Sequence, residues 1–179
     1  MQKKLKLLLK YTLLVVLAFA SLSFQQQGFD PSAKVKAVFL YNFTKYFEWP
    51  KNMKSGNFII QIIGVNASLS QELNKMSTSK QIGNQKLEIR NSQVFDGTTQ
   101  PHIIFILNEA SDKLKDIVAK TKGKGTLIVT EKPGMAKAGA SLNFVVADSK
   151  QKFEYSKENA LRAGLKTSDE LKSLAIAVD

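Results

Sequence analysis

The stretch Asn57-Phe-Ile-Ile-Gln-Ile-Ile-Gly64 decides the fold, because it is a run of β-branched and aromatic residues that ends in glycine. Such a run predicts a strand that is buried on both faces. Two later runs have the same character, His-Ile-Ile-Phe-Ile-Leu at 102–107 and Gly-Thr-Leu-Ile-Val-Thr at 125–130. Strands that are apolar on both faces are typical of a parallel sheet that helices cover.

Predicted helices alternate with these strands. Asp30-Pro31 is an N-cap followed by proline, and it predicts a first helix over about 31–48 that ends before Pro50. Shorter helices are predicted over about 69–76, capped by Asn66 or Ser68, and over about 112–122.

The last third of the chain predicts a different arrangement. Two strands, 142–147 and 152–155, flank a turn at 148–151 and form a hairpin. Earlier in the chain, residues 86–90 alternate between apolar and polar and predict a half-buried strand. Ser156 caps a final helix that breaks at Gly164, and a short helix follows to about residue 175. We therefore predict a single layered α/β domain, with a mostly parallel mixed sheet, helices on both faces and a C-terminal β-hairpin.

The N-terminus predicts export. A basic front precedes the apolar run 13–19, and Ala18-Phe19-Ala20 has the small-x-small cleavage pattern, so residues 1–20 are interpreted as a signal peptide. The alternative is an uncleaved membrane anchor, although the apolar run is short for a span. Residues 21–29 form a polar lead, 30–179 form the domain, and the mature chain is expected to be exported from the cytoplasm.

The charge of the chain does not point to nucleic acid. The 179 residues contain 26 Lys plus Arg against 15 Asp plus Glu, and only Arg90 and Arg162 are arginine. Nucleic-acid recognition favours arginine, whose planar fork binds phosphates and bases bidentately. Removal of residues 1–20 takes away four lysines and lowers the net charge from +11 to +7. That charge still favours an acidic partner or the anionic inner-membrane surface.

The residue inventory excludes most catalytic and metal sites. With no cysteine there is no thiol nucleophile, disulfide or iron–sulfur cluster, and the single His102 cannot form a histidine metal cluster. The sequence also lacks a nucleophile elbow, a phosphate loop and a dinucleotide fingerprint. We therefore expect no enzyme, metal or cofactor, and a hydrolase using His102 as a base is kept only as a minor hypothesis.

The predicted first helix is unusually aromatic. Its aromatic residues are Phe39, Tyr41, Phe43, Tyr46, Phe47 and Trp49. Helical spacing places one face along Val35, Val38, Phe39, Asn42, Phe43 and Tyr46. Two interpretations are open: the helix lies between the sheet and another element, or part of this face contacts a partner.

Polar residues in apolar surroundings are the remaining candidates. Asn42 on the aromatic face and Asn143 in a predicted strand each need hydrogen-bond partners if buried, either within the chain or from a ligand. Arg162 is a candidate for a buried ion pair with Glu154 or Asp148.

Three segments together resemble the YfiR-like periplasmic repressors. The first is Lys36-Ala-Val-Phe-Leu-Tyr-Asn-Phe-Thr-Lys-Tyr-Phe-Glu-Trp-Pro50, and the second is Leu127-Ile-Val-Thr-Glu-Lys-Pro-Gly-Met-Ala-Lys-Ala138 with Gly139. The third combines Leu142-Asn-Phe-Val-Val and Phe153-Glu-Tyr with the stretch from Ala160 through Ser168 to Leu174. They occur in the family's order and span nearly the whole mature chain.

The resemblance implies a non-enzymatic regulator that binds and restrains the periplasmic domain of an inner-membrane signalling protein. A diguanylate cyclase is the best-known type of partner, with cyclic di-GMP and biofilm formation as output, and a histidine kinase is the other type considered. The resemblance also implies a homodimer. Well-known members use cysteine pairs, so the absence of cysteine here excludes sensing by a disulfide.

The matched motifs carry two groups of site residues. The partner-binding group is Tyr41, Asn42, Lys45, Glu48 and Trp49. The ligand-binding or structural group is Asn143, Phe144, Glu154 and Arg162. The alternative function is a periplasmic small-molecule-binding module with a pocket at the strand ends.

Overall fold

The computed structural model describes residues 30–178. The predicted signal peptide and polar lead, residues 1–29, lie outside the described residues. Among residues 30–178, no helix combines the length and apolarity that a membrane span requires. The helices are α1 (Ala33–Phe43), α2 (Ala67–Ser77), α3 (Leu114–Thr121), α4 (Lys157–Arg162) and α5 (Asp169–Leu174). Short 3₁₀ helices cover Lys51–Met53 and Asn108–Lys113.

The ten strands found within residues 30–178 form one large sheet and one small one. In chain order they are β1 (Phe47–Glu48), β2 (Phe58–Ile63), β3 (Gln81–Ile82), β4 (Gln85–Ser92), β5 (Ile103–Ile106), β6 (Leu127–Thr130), β7 (Leu142–Ala147), β8 (Lys150–Tyr155), β9 (Lys166–Thr167) and β10 (Ile176–Ala177). The large sheet has the order β10-β8-β7-β6-β5-β2-β4-β3, and β1 pairs with β9 alone. Strands β4, β2, β5, β6 and β7 are mutually parallel, whereas β8 and β3 run antiparallel to their hairpin partners.

Helices cover both faces of the sheet, as predicted. Alternate side chains of β5 enter different cores, because Ile103 and Phe105 pack on one side and Ile104 and Ile106 on the other. The larger core also contains apolar residues of α1, α2, α4 and α5, and the smaller one contains those of α3. The predicted α/β class, the mixed sheet and the C-terminal hairpin are therefore confirmed.

The first helix is shorter than predicted. It ends at Phe43, where the Thr44 hydroxyl donates to the Tyr41 carbonyl oxygen over 2.6 Å. The chain then turns, and Phe47–Glu48 pairs antiparallel with β9. This strand extends toward Pro50, which disfavours the helical region for the residue before it. The prediction that Glu48 and Trp49 lie at or beside the end of the helix is wrong.

Two other elements differ from prediction. The strand after α2 is longer than expected and is preceded by β3, with which it forms a hairpin. The predicted helix over 112–122 is split, since Asn108–Lys113 is 3₁₀ and only Leu114–Thr121 is α-helical. The predicted N-caps of α2 and α4 are present: Asn66 Oδ1 accepts from the Leu69 amide, and Ser156 Oγ accepts from the Asn159 amide.

The C-terminal hairpin turns through two residues rather than the predicted four. Ala147 is opposite Lys150, and Asp148 and Ser149 have φ values of 53° and 57°. Positive φ at both central residues is what a type I′ turn requires, and its second position favours glycine.

Ser149→Gly is expected to raise the free energy of unfolding by about 0.5–1 kcal/mol, because glycine adopts positive φ without steric cost. Urea unfolding followed by circular dichroism measures the change. Ser173→Gly makes the same substitution inside α5 and is expected to lower the free energy of unfolding by a similar amount. A loss of stability in Ser149→Gly would contradict the turn geometry.

Candidate functional site

The outward side of α1 carries an apolar surface that nothing in the described chain covers. Val35 and Val38 are each 44% exposed. Two adjoining depressions of about 270 and 230 Å³ run along this side, and both are lined by Phe39 and Asn42. We call this surface the α1 groove; it is lined by Lys34, Val35, Val38, Phe39, Asn42, Phe43, Tyr46, Gln151, Lys152, Phe153 and Leu174.

An aromatic cluster supports the α1 groove from below. Phe39 and Phe43 of α1 contact Phe144 of β7 and Phe153 of β8, with ring centroids 5.0–5.9 Å apart. Such rings pack with defined geometry and bury large areas. The cluster therefore fixes α1 on the sheet. It also gives Phe144, which is 2% exposed, a place in the core rather than on a binding surface.

The groove has a basic rim. Lys34 and Lys45 are exposed, and Lys152 is paired with Asp148 over 2.6 Å. No acidic side chain is among the described residues that line the two depressions. The surface thus matches an apolar segment that carries acidic flanks.

Three of the five predicted partner-binding residues come together near the end of α1, and of these only Asn42 lines the α1 groove. Lys45 Nζ donates to Asn42 Oδ1 over 3.1 Å and lies 5.7 Å from the centroid of the Tyr41 ring. Tyr41 and Asn42 point in different directions from α1, and Lys45 bridges them. Both are half-buried, so part of each side chain is available to a partner.

The other two residues of that group lie elsewhere. Glu48 is exposed on β1 and forms an ion pair with Lys54 at 3.6 Å. Trp49 is only 7% exposed, and its Nε1 donates to the carbonyl oxygen of His102 over 3.3 Å. Trp49 is therefore part of the core and not of an accessible surface.

His102 has a structural environment. It is 3% exposed, its Nδ1 accepts from the Ile59 amide over 3.1 Å, and its Nε2 lies 2.7 Å from the Met53 carbonyl oxygen. Burial lowers the pKa of His102, more than the hydrogen bond to Met53 raises it, which favours the neutral imidazole. Since both nitrogens are held by the main chain, neither is free to move a substrate proton.

Asn143 is satisfied inside the protein. It is completely buried; Thr130 Oγ1 donates to its Oδ1, and its Nδ2 donates to Glu154 Oε2, each over 2.8 Å. The network links β6, β7 and β8 across the point where the sheet changes from parallel to antiparallel. These bonds favour the structural interpretation for Asn143 and Glu154.

The predicted buried ion pair of Arg162 is wrong. Arg162 is exposed near the end of α4 and pairs with Glu158, one turn earlier on the same helix. An i,i+4 partner on a helix surface is close without any tertiary contact. Glu154 instead accepts from Asn143, and Asp148 pairs with Lys152.

A largely buried charge cluster that no pattern in the sequence indicates holds the start of α1 against the sheet. Lys36 Nζ lies 2.7 Å from Glu131 Oε2 and 3.2 Å from Asp30 Oδ2. Asn66, after β2, donates to the same Asp30 oxygen over 2.9 Å, and the Asn108 amide, after β5, donates to Glu131 over 3.1 Å. The cluster thus occupies the carboxyl ends of three parallel strands, where α/β proteins often bind ligands.

The pKa values in this cluster favour the charged forms. Burial alone would raise the pKa of Asp30, but hydrogen bonds from Ser32, Asn66 and Lys36 outweigh it and lower the value to about 2. Burial likewise lowers the pKa of Lys36, and the nearby Glu131 and Asp30 carboxylates more than reverse this, so the net shift is upward.

The described residues contain no group of three or more His, Cys, Asp or Glu side chains placed to hold a metal ion. A family model described as YfiR/HmsC-like matches residues 33–176 of the chain. That range covers every element from α1 to α5, the first residue of β10 and all three motifs on which the resemblance rests. No curated protein matches the chain.

Proposed function

Because the chain belongs to the YfiR/HmsC-like family, we propose that it is a non-enzymatic periplasmic regulator that binds and restrains an inner-membrane signalling protein of the diguanylate cyclase type. The single observation that supports a binding role most is the α1 groove, an apolar surface with a basic rim. Residues 1–20, whose sequence has the features of a signal peptide, support the periplasmic location.

The expected partner segment follows from the chemistry of the groove. Val35 and Val38 offer apolar area along one side of α1, and Asn42 offers a polar contact at its centre. Helix-in-groove recognition uses apolar anchors on one face and polar residues at the edges. We therefore propose that the periplasmic domain of the partner presents an amphipathic segment with acidic flanks, which Lys34 and Lys45 contact.

Val38→Asp tests this proposal. A charge placed in the centre of an apolar interface loses its solvation without gaining a partner, so we expect at least a tenfold weaker complex. In cells that lack the wild-type gene, the variant should fail to lower cyclic di-GMP. Val94→Asp is the matched control, because Val94 is 63% exposed but distant from the α1 groove.

Crosslinking identifies the partner directly. A photoreactive amino acid at position 38 should give a crosslink to a membrane diguanylate cyclase, whereas the same group at exposed position 119 of α3 should not. A histidine kinase in the crosslinked product would replace the cyclase as partner. Recovery of no membrane signalling protein, together with unchanged cyclic di-GMP in a deletion strain, would reject the proposal.

The proposal also includes a homodimer and contact with the inner-membrane surface. Sedimentation of the wild type and of Val38→Asp separates these from partner binding: if the groove receives the partner rather than a second copy, both proteins sediment as dimers. Co-sedimentation with anionic vesicles that falls with salt would support membrane contact. Sedimentation of the wild type as a monomer would reject the homodimer. Vesicle binding that does not change with salt would reject the electrostatic contact with the membrane.

A further inference from the structure

A second cavity lies between α3, on the opposite face of the sheet from α1, and the end of α4. It has a volume of about 280 Å³ and is bounded by α3, α4 and the segment 138–141 that leads into β7. We call it the α3–α4 cavity. Its size is close to the lower end of the range for small-molecule sites.

Small residues at the wall of the α3–α4 cavity create this space. Ala138, Gly139 and Ala163 line it together with Val118 of α3 and Ile128 of β6. Gly139 has φ +127°, and a Cβ at this position would lie 3.3 Å from Val118 Cγ2. A larger residue would therefore press on α3 and reduce the cavity.

Hydrogen bonds to main-chain carbonyl oxygens fix the segments that surround the cavity. The turn after α3 and the end of α4 are joined, because the amides of Gly123 and Gly125 donate to the carbonyl oxygens of Arg162 and Ala163 over 3.0 and 2.7 Å. Asn159 Nδ2 donates to the carbonyl oxygens of Ala136 and Ala140 over 2.8 and 3.0 Å. These bonds hold the cavity open without a ligand, which is the preorganisation that binding sites use.

Polar groups at the cavity have unused capacity. Ser141 is 1% exposed and lines the cavity, and its hydroxyl makes no hydrogen bond with another residue in the 30–178 range. Its oxygen retains contact with the cavity space, where a ligand or a water molecule can hydrogen-bond to it. Asn159 Oδ1 is a second group with no donor among the described residues.

The mouth of the cavity is basic. Lys122 and Arg162 are both exposed lining residues, and no carboxylate of residues 30–178 lines the cavity. Arg162 is partly engaged by Glu158, whereas Lys122 has no ion pair in the described part of the chain. Two cations over an otherwise uncharged, partly apolar cavity select a molecule with a negatively charged head.

We propose that the α3–α4 cavity binds a small aliphatic carboxylate, with its carboxylate between Lys122 and Arg162 and its apolar body against Val118 and Ile128. The Ser141 hydroxyl donates a hydrogen bond to one oxygen of that carboxylate. This site is separate from the α1 groove and does not depend on the function proposed for that surface.

NMR titration of the mature protein with butyrate tests the site. Saturable shifts are expected for the amides of Gly139, Ser141 and Ala163, with at least fivefold weaker binding of the neutral isostere butyramide. Arg162→Gln should weaken butyrate binding at least fivefold, because it removes one of the two cations. Lys137→Gln, an exposed lysine that does not line the cavity, should leave the affinity unchanged.

A filling variant keeps the proposal falsifiable. Ala138 is exposed at the mouth, so Ala138→Phe should abolish the butyrate shifts without unfolding the protein, while Ala119→Phe on the exposed side of α3 should retain them. The proposal is overturned if butyrate causes no saturable shifts or if Ala138→Phe binds as the wild type does. Equal binding of inorganic phosphate, butyrate and butyramide would also overturn it.

Discussion

Trp49→Ala is expected to lower the free energy of unfolding by about 3–5 kcal/mol, the usual cost of deleting a buried tryptophan side chain. The indole lies 5.0 Å from the Phe58 ring and 6.1 Å from the Phe47 ring, between centroids. It also donates the hydrogen bond to His102 that closes this end of the core. Removal therefore leaves a cavity and takes one donor from the His102 carbonyl oxygen, which keeps its hydrogen bond from the Leu127 amide.

Urea unfolding followed by far-UV circular dichroism measures this loss. Glu48→Ala is the neighbouring control, with an expected change below about 0.5 kcal/mol, because Glu48 is exposed and its ion pair with Lys54 is a surface pair. A Trp49→Ala protein that is as stable as the wild type but fails to regulate would contradict the core assignment. It would instead place Trp49 at the partner interface.

Trp49 also illustrates why the end of the first helix is not predictable from the local sequence. The aromatic spacing predicts a helix, and α1 indeed buries Phe43, while Phe39 packs against the same core and stays half-buried. The end of the helix depends on β9, more than 100 residues later, which offers hydrogen bonds to Phe47 and Glu48. Helical periodicity is a local signal and cannot include such a partner.

The buried strands match their predicted ranges best, because the apolar residues that identify them in the sequence are the same residues that bury them in the sheet. Strands β2, β5 and β6 are apolar on both sides since helices or loops cover both faces of the sheet, and each lies within the predicted run. The short β1, β3, β9 and β10 strands have two residues each and no comparable pattern. Pairing, rather than composition, defines them.

Individual polar residues were predictable only where local rules suffice. Asn143 was recognisable because an amide in a buried strand must find partners, and it does so in Thr130 and Glu154. For Arg162 the sequence suggests an ion pair with Glu154 or Asp148, whereas the observed partner is Glu158, one helical turn earlier. The ion pair between Lys36 and Glu131 spans 95 positions, and no pattern in the sequence joins them.

These buried polar contacts connect the three motifs on which the family resemblance rests. Lys36 opens the first motif and binds Glu131 in the second, while Thr130 in the second binds Asn143 in the third. The motifs thus meet at β6, which lies near the centre of the sheet. This arrangement gives the motifs a structural purpose in addition to any role in partner binding.

Lys36→Met is expected to lower the free energy of unfolding at pH 7 by about 3–5 kcal/mol, because it leaves the Asp30 and Glu131 carboxylates buried without their cation. The side chains of Lys36, Asp30 and Glu131 are only 13%, 17% and 14% exposed, so water compensates little for the loss. Lys34→Met is the adjacent control. Lys34 is exposed and makes no ion pair within residues 30–178, so its change should stay below about 0.5 kcal/mol.

The pH dependence separates the charge effect from a packing effect. In the wild type the folded pKa of Asp30 is about 2, below its ordinary 3.8, so its contribution is present above pH 3.8 and is lost as pH falls toward 2. The pKa of Lys36 is raised, so its contribution is complete at neutral pH and is lost only at strongly alkaline pH. Wild-type stability should therefore fall between about pH 4 and 2.

In Lys36→Met the pKa of Asp30 should be higher than in the wild type, because the hydrogen bond from the Lys36 ammonium that helps to lower it is gone. Acid then neutralises the uncompensated charges, and the difference in unfolding free energy from the wild type should be smaller at pH 3 than at pH 7. Adding Glu131→Gln should recover part of the loss at pH 7, since the amide oxygen can still accept from Asn108. An equal loss at both pH values would mean that Lys36 stabilises α1 by packing rather than by charge.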